Sequence, residues 1–281
     1  MKPSLTARWR EPSFLPGFSL ALGLTLTYLG LILVVPLAAL LLKPWSLGIA
    51  GVWRELTDRR VLAALELSFT TAFLAALLDA ALGLIIAWTL VRYEFPGRRL
   101  IDAIVDLPFA LPTAVAGIAL TALYAPNGPL GALAARVGIK IAYSPLGIFL
   151  ALVFVGLPFV VRAIEPVLRE VDQEVEEAAR TLGASDLQRV AMVVLPALAP
   201  ALLSGVAMAF ARAVGEYGSV IFIAGNMPMK TEIAPLLIVI KLEEFDYSGA
   251  AAIGVAMVVV SFGALVAINS LQIVLARRGH A

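Results

Sequence analysis

Two charged residues stand where an apolar chain tolerates them least. Arg212 and Glu216 lie four residues apart inside a long apolar block, residues 198–222. On a helix that spacing puts both on one face. A charge within a membrane is costly and marks a functional candidate by default. Two readings follow: the pair neutralises itself as packing, or it lines a conduction path near its midplane. Beside it run Tyr217, Ser219 and Asn226, with Gly215 and Gly218 as sites of close helix approach. These neutral hydrogen-bond donors could receive a partly dehydrated anion without holding it tightly. Asp79 interrupts another apolar block. It reads as a helix–helix hydrogen bonder or a carboxyl protonated in place, with a pathway role as the alternative.

Covalent and metal chemistry find no support. The chain has no cysteine and one histidine, His280, beside the C-terminus. Thiol nucleophiles, disulfides and cysteine-rich metal sites are excluded. No Gly-x4-Gly-Lys-Ser/Thr loop is present to cradle phosphates. No catalytic set, metal cluster or cofactor site emerges, so the chain is not expected to be an enzyme. Any use of ATP would need an ATPase on another chain. A net charge of +1 gives no basis for a nucleic-acid partner.

The elements that must position these residues are long and oily. The chain is 61% hydrophobic and only 15% charged, against about 25% charged in ordinary soluble domains. Six blocks reach the length of about 20 apolar residues that a membrane helix needs: 18–42, 66–91, 101–124, 146–165, 198–222 and 249–275. The expected fold is an all-α polytopic membrane protein with six transmembrane helices. Residues 1–17 would be an N-terminal tail, 18–275 one transmembrane domain and 276–281 a C-terminal tail. Lys2, Arg8 and Arg10 precede a first block too long for a cleavable signal, so it reads as an uncleaved helix. The third block holds Asp102, Asp106, Pro108 and Pro112, and the fourth holds Pro158, Arg162 and Glu165. Asp102 and Asp106 read as interfacial. The prolines suggest bent helices around a cavity.

Basic residues orient the chain. Apart from Arg212, twelve fall on the side of both termini and eight on the other. The positive-inside rule then makes both termini cytoplasmic. Arg92, Arg98 and Arg99 flank the turn Phe95-Pro96-Gly97 and read as lipid-phosphate contacts at the inner boundary. The tetrad Glu243, Glu244, Phe245 and Asp246 would be external, as a solvated loop or a partner contact.

Residues 171–196, VDQEVEEAARTLGASDLQRVAMVVLP, form a polar island between two apolar blocks. Glu174, Glu176 and Glu177 load a first short helix, closed at Gly183 by a left-handed C-cap. Ser185 opens a second, with Gln188 at capping-box spacing. Leu187, Val190, Ala191 and Val194 fall on one face of it, and Pro196 would stop it. The product is a compact cytoplasmic docking knob.

Glu177-Ala178-Ala179, then Gly183, then Val193-Val194-Leu195-Pro196 resemble the EAA loop of ATP-binding-cassette (ABC) import permeases. That pattern is EAA, three residues, Gly, nine residues, Ile-x-Leu-Pro; Val193 replaces Ile. The resemblance implies a type I importer permease fold with its core at about 62–272, and an ATPase dimer docked on the loop. Glu177, Ala178, Ala179, Gly183, Leu195 and Pro196 would couple to it. Three stretches, at 92–120, 158–168 and 210–247, resemble the T-type permease subunits of bacterial sulfate/thiosulfate importers. Molybdate permeases share part of the pattern, but Ala224-Gly225-Asn226 and Glu243 to Tyr247 favour the sulfate type. That family implies an inner-membrane pore worked by alternating access. Its partners would be a second related permease, making a heterodimer, and a periplasmic sulfate- or thiosulfate-binding protein. The coupling lever would run from Glu177 to Gly183, and the gate would lie near Arg212 to Ser219. The alternatives are a homodimeric molybdate or tungstate permease, or a proton-coupled transporter using Asp79 and Glu216.

Overall fold

The computed structural model describes residues 18–279, so Lys2, Arg8, Arg10 and His280 lie outside the described residues. The described residues are helical, with no strand among them. The chain opens as α1 (Phe18–Leu29), a π-helical turn (Gly30–Val34) and α2 (Val35–Leu42). A 3-10 turn (Lys43–Leu47) leads to α3 (Gly48–Leu56), and α4 is one uninterrupted run, Arg59–Arg92. Then come α5 (Arg98–Val105), α6 (Leu107–Ala110), α7 (Thr113–Tyr124) and α8 (Pro129–Arg136). α9 spans Pro145–Glu170, and α10 (Gln173–Thr181) and α11 (Asp186–Arg189) form the hairpin. A second π-helical turn (Val190–Val194) joins α11 to α12 (Leu195–Val214). α13 (Val220–Ile223), α14 (Ala234–Glu243) and α15 (Tyr247–Gly279) complete the chain.

Five helical runs among the described residues are long and apolar enough to cross a membrane. They are Leu20–Leu56, Arg59–Arg92, Pro145–Glu170, Asp186–Val214 and Tyr247–Ser270. The third expected segment, 101–124, is not a continuous helix. Pro108 sits in the first turn of α6, and Pro112 precedes α7. A proline disfavours helical geometry in its predecessor, and Leu111 is extended, with φ −85° and ψ 134°. The fifth segment also differs: its helix ends at Val214, Gly215 caps it, and a turn intervenes before α13. α15 runs to Gly279, past the expected start of a C-terminal tail at 276.

α4, α9 and α12 pack mutually and hold the most buried side chains, among them Leu90, Ile164 and Leu198. Lipid tails are as apolar as leucine, so burial alone does not drive such helices together; close packing does. Small residues supply it around Val160. A Cβ on Gly83 would lie 2.7 Å from Val160 Cγ1, and one on Gly205 would lie 2.9 Å from Val160 Cα. α15 flanks α12 and α14, and the turn Lys43–Leu47 with α3 rests on α15. α1 and α2 leave nearly every apolar side chain exposed, from Leu20 to Leu42. Exposed Trp45 and Trp53 mark one end of the bundle, and Trp88 and Tyr93 the other. Such aromatics favour the two membrane–water interfaces.

Candidate functional site

The hairpin is built from local signals. Asp172 caps α10, its carboxylate accepting from the Glu174 N–H at 2.9 Å. Gly183, at φ 87°, ends it. Its N–H donates to Arg180 O at 2.9 Å and that of Ala184 to Ala179 O at 3.0 Å, a Schellman motif. Ser185 and Gln188 form the expected capping box, with bonds of 3.3 and 2.9 Å. Pro196 does not stop the second helix. The Leu195 N–H bonds back five residues to Val190 O, and this π-turn carries α11 into α12 with Pro196 in its first turn. There the ring does not break the run, because the wider turn absorbs the missing donor and the steric demand. The expected apolar face also divides. Val194 is fully buried and Val190 half-buried, whereas Leu187 and Ala191 are exposed. Leu182, at 89% exposed, and Leu187, at 78%, leave the knob with an apolar tip.

Glu177 and Ala178 are exposed, Ala179 and Leu195 half-buried, and Pro196 exposed. Glu176, counted from sequence only as one of several acids, anchors the knob. It pairs with Arg92 at the end of α4 and with Arg189 at 3.3 Å. Arg92 therefore faces the hairpin, with its guanidinium carbon 5.6 Å from the Trp88 ring centre.

Arg162 gathers a second cluster. Its Nε and Nη2 donate to the two oxygens of Asp106 at 2.8 and 2.7 Å, a bidentate fork. Nη1 lies 2.7 Å from Asp102 and 2.6 Å from Glu165, and Glu165 also pairs with Arg169. Asp102 and Asp106 are thus more than interfacial charges: they clamp the broken third segment to α9. The signal was present in the i,i+4 acids and the i,i+3,i+7 run Arg162, Glu165 and Arg169.

Arg212, Glu216 and Ser219 meet, though Glu216 is beyond the end of α12 and not on its face. Glu216 is 3% exposed. One carboxylate oxygen accepts from the Ser219 N–H at 2.8 Å and its hydroxyl at 2.9 Å. The other pairs with Arg212. Arg212 keeps a third of its side chain exposed. The broken segment leans on α7: a Cβ on Gly117 would meet Ser219 O at 2.4 Å, and one on Gly218 would meet Thr113 Oγ1 at 2.1 Å. Gly215 would have open space there, so only Gly218 of the two expected glycines mediates close approach. Tyr217 is half-buried. Asn226 stands apart, exposed, in a left-handed turn at φ 53°, donating to Ile221 O at 3.0 Å.

Asp79 is 1% exposed, and neither oxygen has a hydrogen-bond partner among the described residues. The expected helix–helix bond is absent; the carboxyl fills the space over Gly156, where a Cβ would lie 2.2 Å from its Oδ2. At the opposite end of the bundle from the hairpin, Arg60 forks onto buried Glu232 at 2.8 and 2.7 Å. Lys241 links Glu55 at 2.6 Å and Asp246 at 2.9 Å. The Lys241 ammonium, then the Gly249 N–H, hold the Asp246 carboxyl below the usual carboxylate range. Asp246 thus caps α15, whereas Glu243, Glu244 and Phe245 remain exposed.

These features are two breaks in a helical bundle, one an exposed knob at its surface and one a polar turn in its interior. The family described as binding-protein-dependent transport system inner membrane component matches residues 80–279. The chain belongs to that family. It is a membrane transport subunit and not an enzyme. The sulfate transport system permease protein CysT of Salmonella typhimurium is 48% identical over 268 residues, 95% of this chain and 97% of that protein. The protein of the same name from Synechocystis is 48% identical over 92% of this chain and 91% of its own. Among solved structures, a chain of a bacterial alginate ABC transporter in complex with a pentasaccharide-bound periplasmic protein superposes with a TM-score of 0.75 at 16% identity. It covers 91% of this chain and 93% of that one. A chain of an amino acid ABC transporter gives 0.51 at 18% identity, over 78% and 94%. At such identities the likeness concerns the fold alone, which is that of ABC importer permeases.

Proposed function

We propose that this chain is a pore subunit of an ATP-driven importer that moves sulfate and thiosulfate into the cytoplasm by alternating access. The observation that carries this reading is its 48% identity, over 95% of its length, to a sulfate transport permease. In the proposal both termini and the hairpin are cytoplasmic. Glu177, Ala178, Ala179, Gly183, Leu195 and Pro196 belong to the knob that an ATPase dimer grips. Exposed Leu182 and Leu187 give that grip an apolar centre. A second, related permease completes the pore, and a periplasmic binding protein delivers the anion and sets most of the selectivity.

The polar turn suits such a path. A dianion needs donors, but a strongly basic pore would trap it. Glu216 cancels the charge of Arg212, whose exposed edge remains a donor. Arg212, Glu216, Tyr217 and Ser219 then act as gate or path, and Asn226 shapes the turn beyond them. When the ATPase closes, the two knobs approach and the cavity opens outward; hydrolysis resets it. The ion pairs of Glu176 tie the knob to α4, so motion of the knob moves the buried bundle.

The test is uptake of labelled sulfate into vesicles carrying this chain, its permease partner, the ATPase and the binding protein. ATP-dependent uptake that thiosulfate blocks and molybdate barely affects is expected. Uptake of molybdate without sulfate would overturn the substrate, and uptake without ATP would overturn the coupling.

A further inference from the structure

Between the knob and α4 lies a recess whose lining includes Glu176 and Glu177 of the hairpin. A charged cavity of about 230 Å³ is lined by Arg92, Arg180, Arg189 and Glu176, with Trp88 and Tyr93 in its wall. A second, apolar cavity of about 360 Å³ lies between Leu84 and Ile85 on α4 and Val194 and Leu198 on the far side. Trp88 and Tyr93 line both, so the two share a wall. The arginine side is under-satisfied. Arg92 Nε is buried with no acceptor, and Arg180 has no carboxylate partner among the described residues. Glu176 and Glu177 line the same cavity, and Asp186 lies 3.4 Å from Arg189, so Arg180 is the arginine left without a carboxylate.

We propose that this composite recess seats one anionic phospholipid. Its phosphate lies on Arg92, Arg180 and Arg189, and one acyl chain lies in the apolar groove between α4 and α12. Three observations favour a lipid over a free anion. The groove continues from the charged cavity, and Ile85 in it is 62% exposed toward the surroundings of the bundle. Trp88 and Tyr93 stand at its boundary, as aromatics do at headgroup level. Arg180 is exposed and unpaired with any carboxylate among the described residues, and an arginine near an anionic membrane surface favours such headgroups. A lipid there would brace the knob against α4 beside the Glu176 ion pairs. The site does not depend on which anion the pore carries.

The test uses the assembled transporter, with this chain, its permease partner and the ATPase. It is purified in detergent, stripped of lipid and examined by native mass spectrometry with added phosphatidylglycerol or phosphatidylcholine. One phosphatidylglycerol should be retained per copy of this chain, in preference to phosphatidylcholine. Arg180→Ala should weaken retention about fivefold, the weight of one arginine at an anionic surface. Ile85→Trp, which fills the groove without changing charge, should weaken it as much. Both side chains are exposed, so neither substitution should unfold this chain, and each variant complex is checked for its full subunit mass in the same spectra. Equal retention of the two lipids, or retention unchanged in either variant, would overturn the proposal. Displacement of the lipid by inorganic phosphate alone, with Ile85→Trp silent, would reassign the site to a free anion. Lipid seen on the permease pair but excluded by the bound ATPase would overturn the proposal and assign the recess to the docking surface.

Discussion

The two breaks in this bundle each turn on glycine, but for opposite reasons. At the knob, Gly183 has open space around its missing Cβ, and its φ of 87° is what calls for glycine. In the membrane interior, Gly117 and Gly218 need no special backbone angle; the backbone and side chain of the neighbouring element occupy the space. The knob is a local structure held by caps, and the interior turn is a tertiary one held by contact. A knob proposed as the grip of an ATPase gains from being self-sufficient. The interior turn gains from being fixed by its neighbours, because it holds a buried carboxylate in place.

The sharpest way to break this contrast is to fill the interior. Gly117→Val places atoms where Ser219 O already lies, and overpacking of that kind costs about 3 kcal/mol or more. The expected outcome is loss of the assembled complex, read as yield of intact transporter on size-exclusion chromatography. Glu216→Ala comes next. It leaves Arg212 and the Ser219 N–H without their acceptor, at about 3 kcal/mol, the low end for breaking a buried pair because Arg212 is partly exposed. Thermal stability of the complex should fall, and Glu216→Gln should restore only part of it. Gly183→Ala is milder. A left-handed residue with a Cβ costs about 1–2 kcal/mol, and the hairpin should loosen while the complex still assembles, as seen by faster amide exchange confined to α10 and α11.

That same contrast explains what could be read from the sequence. The caps at Asp172, Gly183 and Ser185 are contiguous patterns with local causes, and the EAA spacing made the knob recognisable. The pairing of Arg212 with Glu216 was also legible, from spacing alone. Its geometry was not: α12 ends at Val214, and the turn beyond it packs Gly218 on Thr113, a contact more than a hundred residues apart in sequence. The clamp from Arg162 to Asp102 and Asp106 spans about sixty residues and was missed for the same reason. Pro196 misled because a proline reads as a stop unless the preceding turn widens.

The smallest effect lies at the opposite end of the bundle. Asp246 is held below the ordinary carboxylate range by Lys241 and the Gly249 N–H. Its contribution to stability is therefore present above the unfolded value of about 3.9 and lost as pH falls through the lowered folded value. Asp246→Asn should lower the melting temperature slightly at neutral pH, with the difference from wild type vanishing in strong acid. Being a surface pair, it is worth little, and a shift as large as that of Glu216→Ala would contradict the account.

The knob is proposed as the lever between ATP and anion. The most direct test is the ratio of sulfate taken up to ATP hydrolysed in the same vesicles, for the wild type and for Glu177→Lys. Glu177 is exposed and holds nothing in the fold, so the variant should reach the membrane and assemble. The account predicts that ATP hydrolysis continues while uptake per ATP falls about tenfold or more, a coupling loss of about 1.4 kcal/mol or more. An unchanged ratio would contradict it and remove the hairpin from the coupling path.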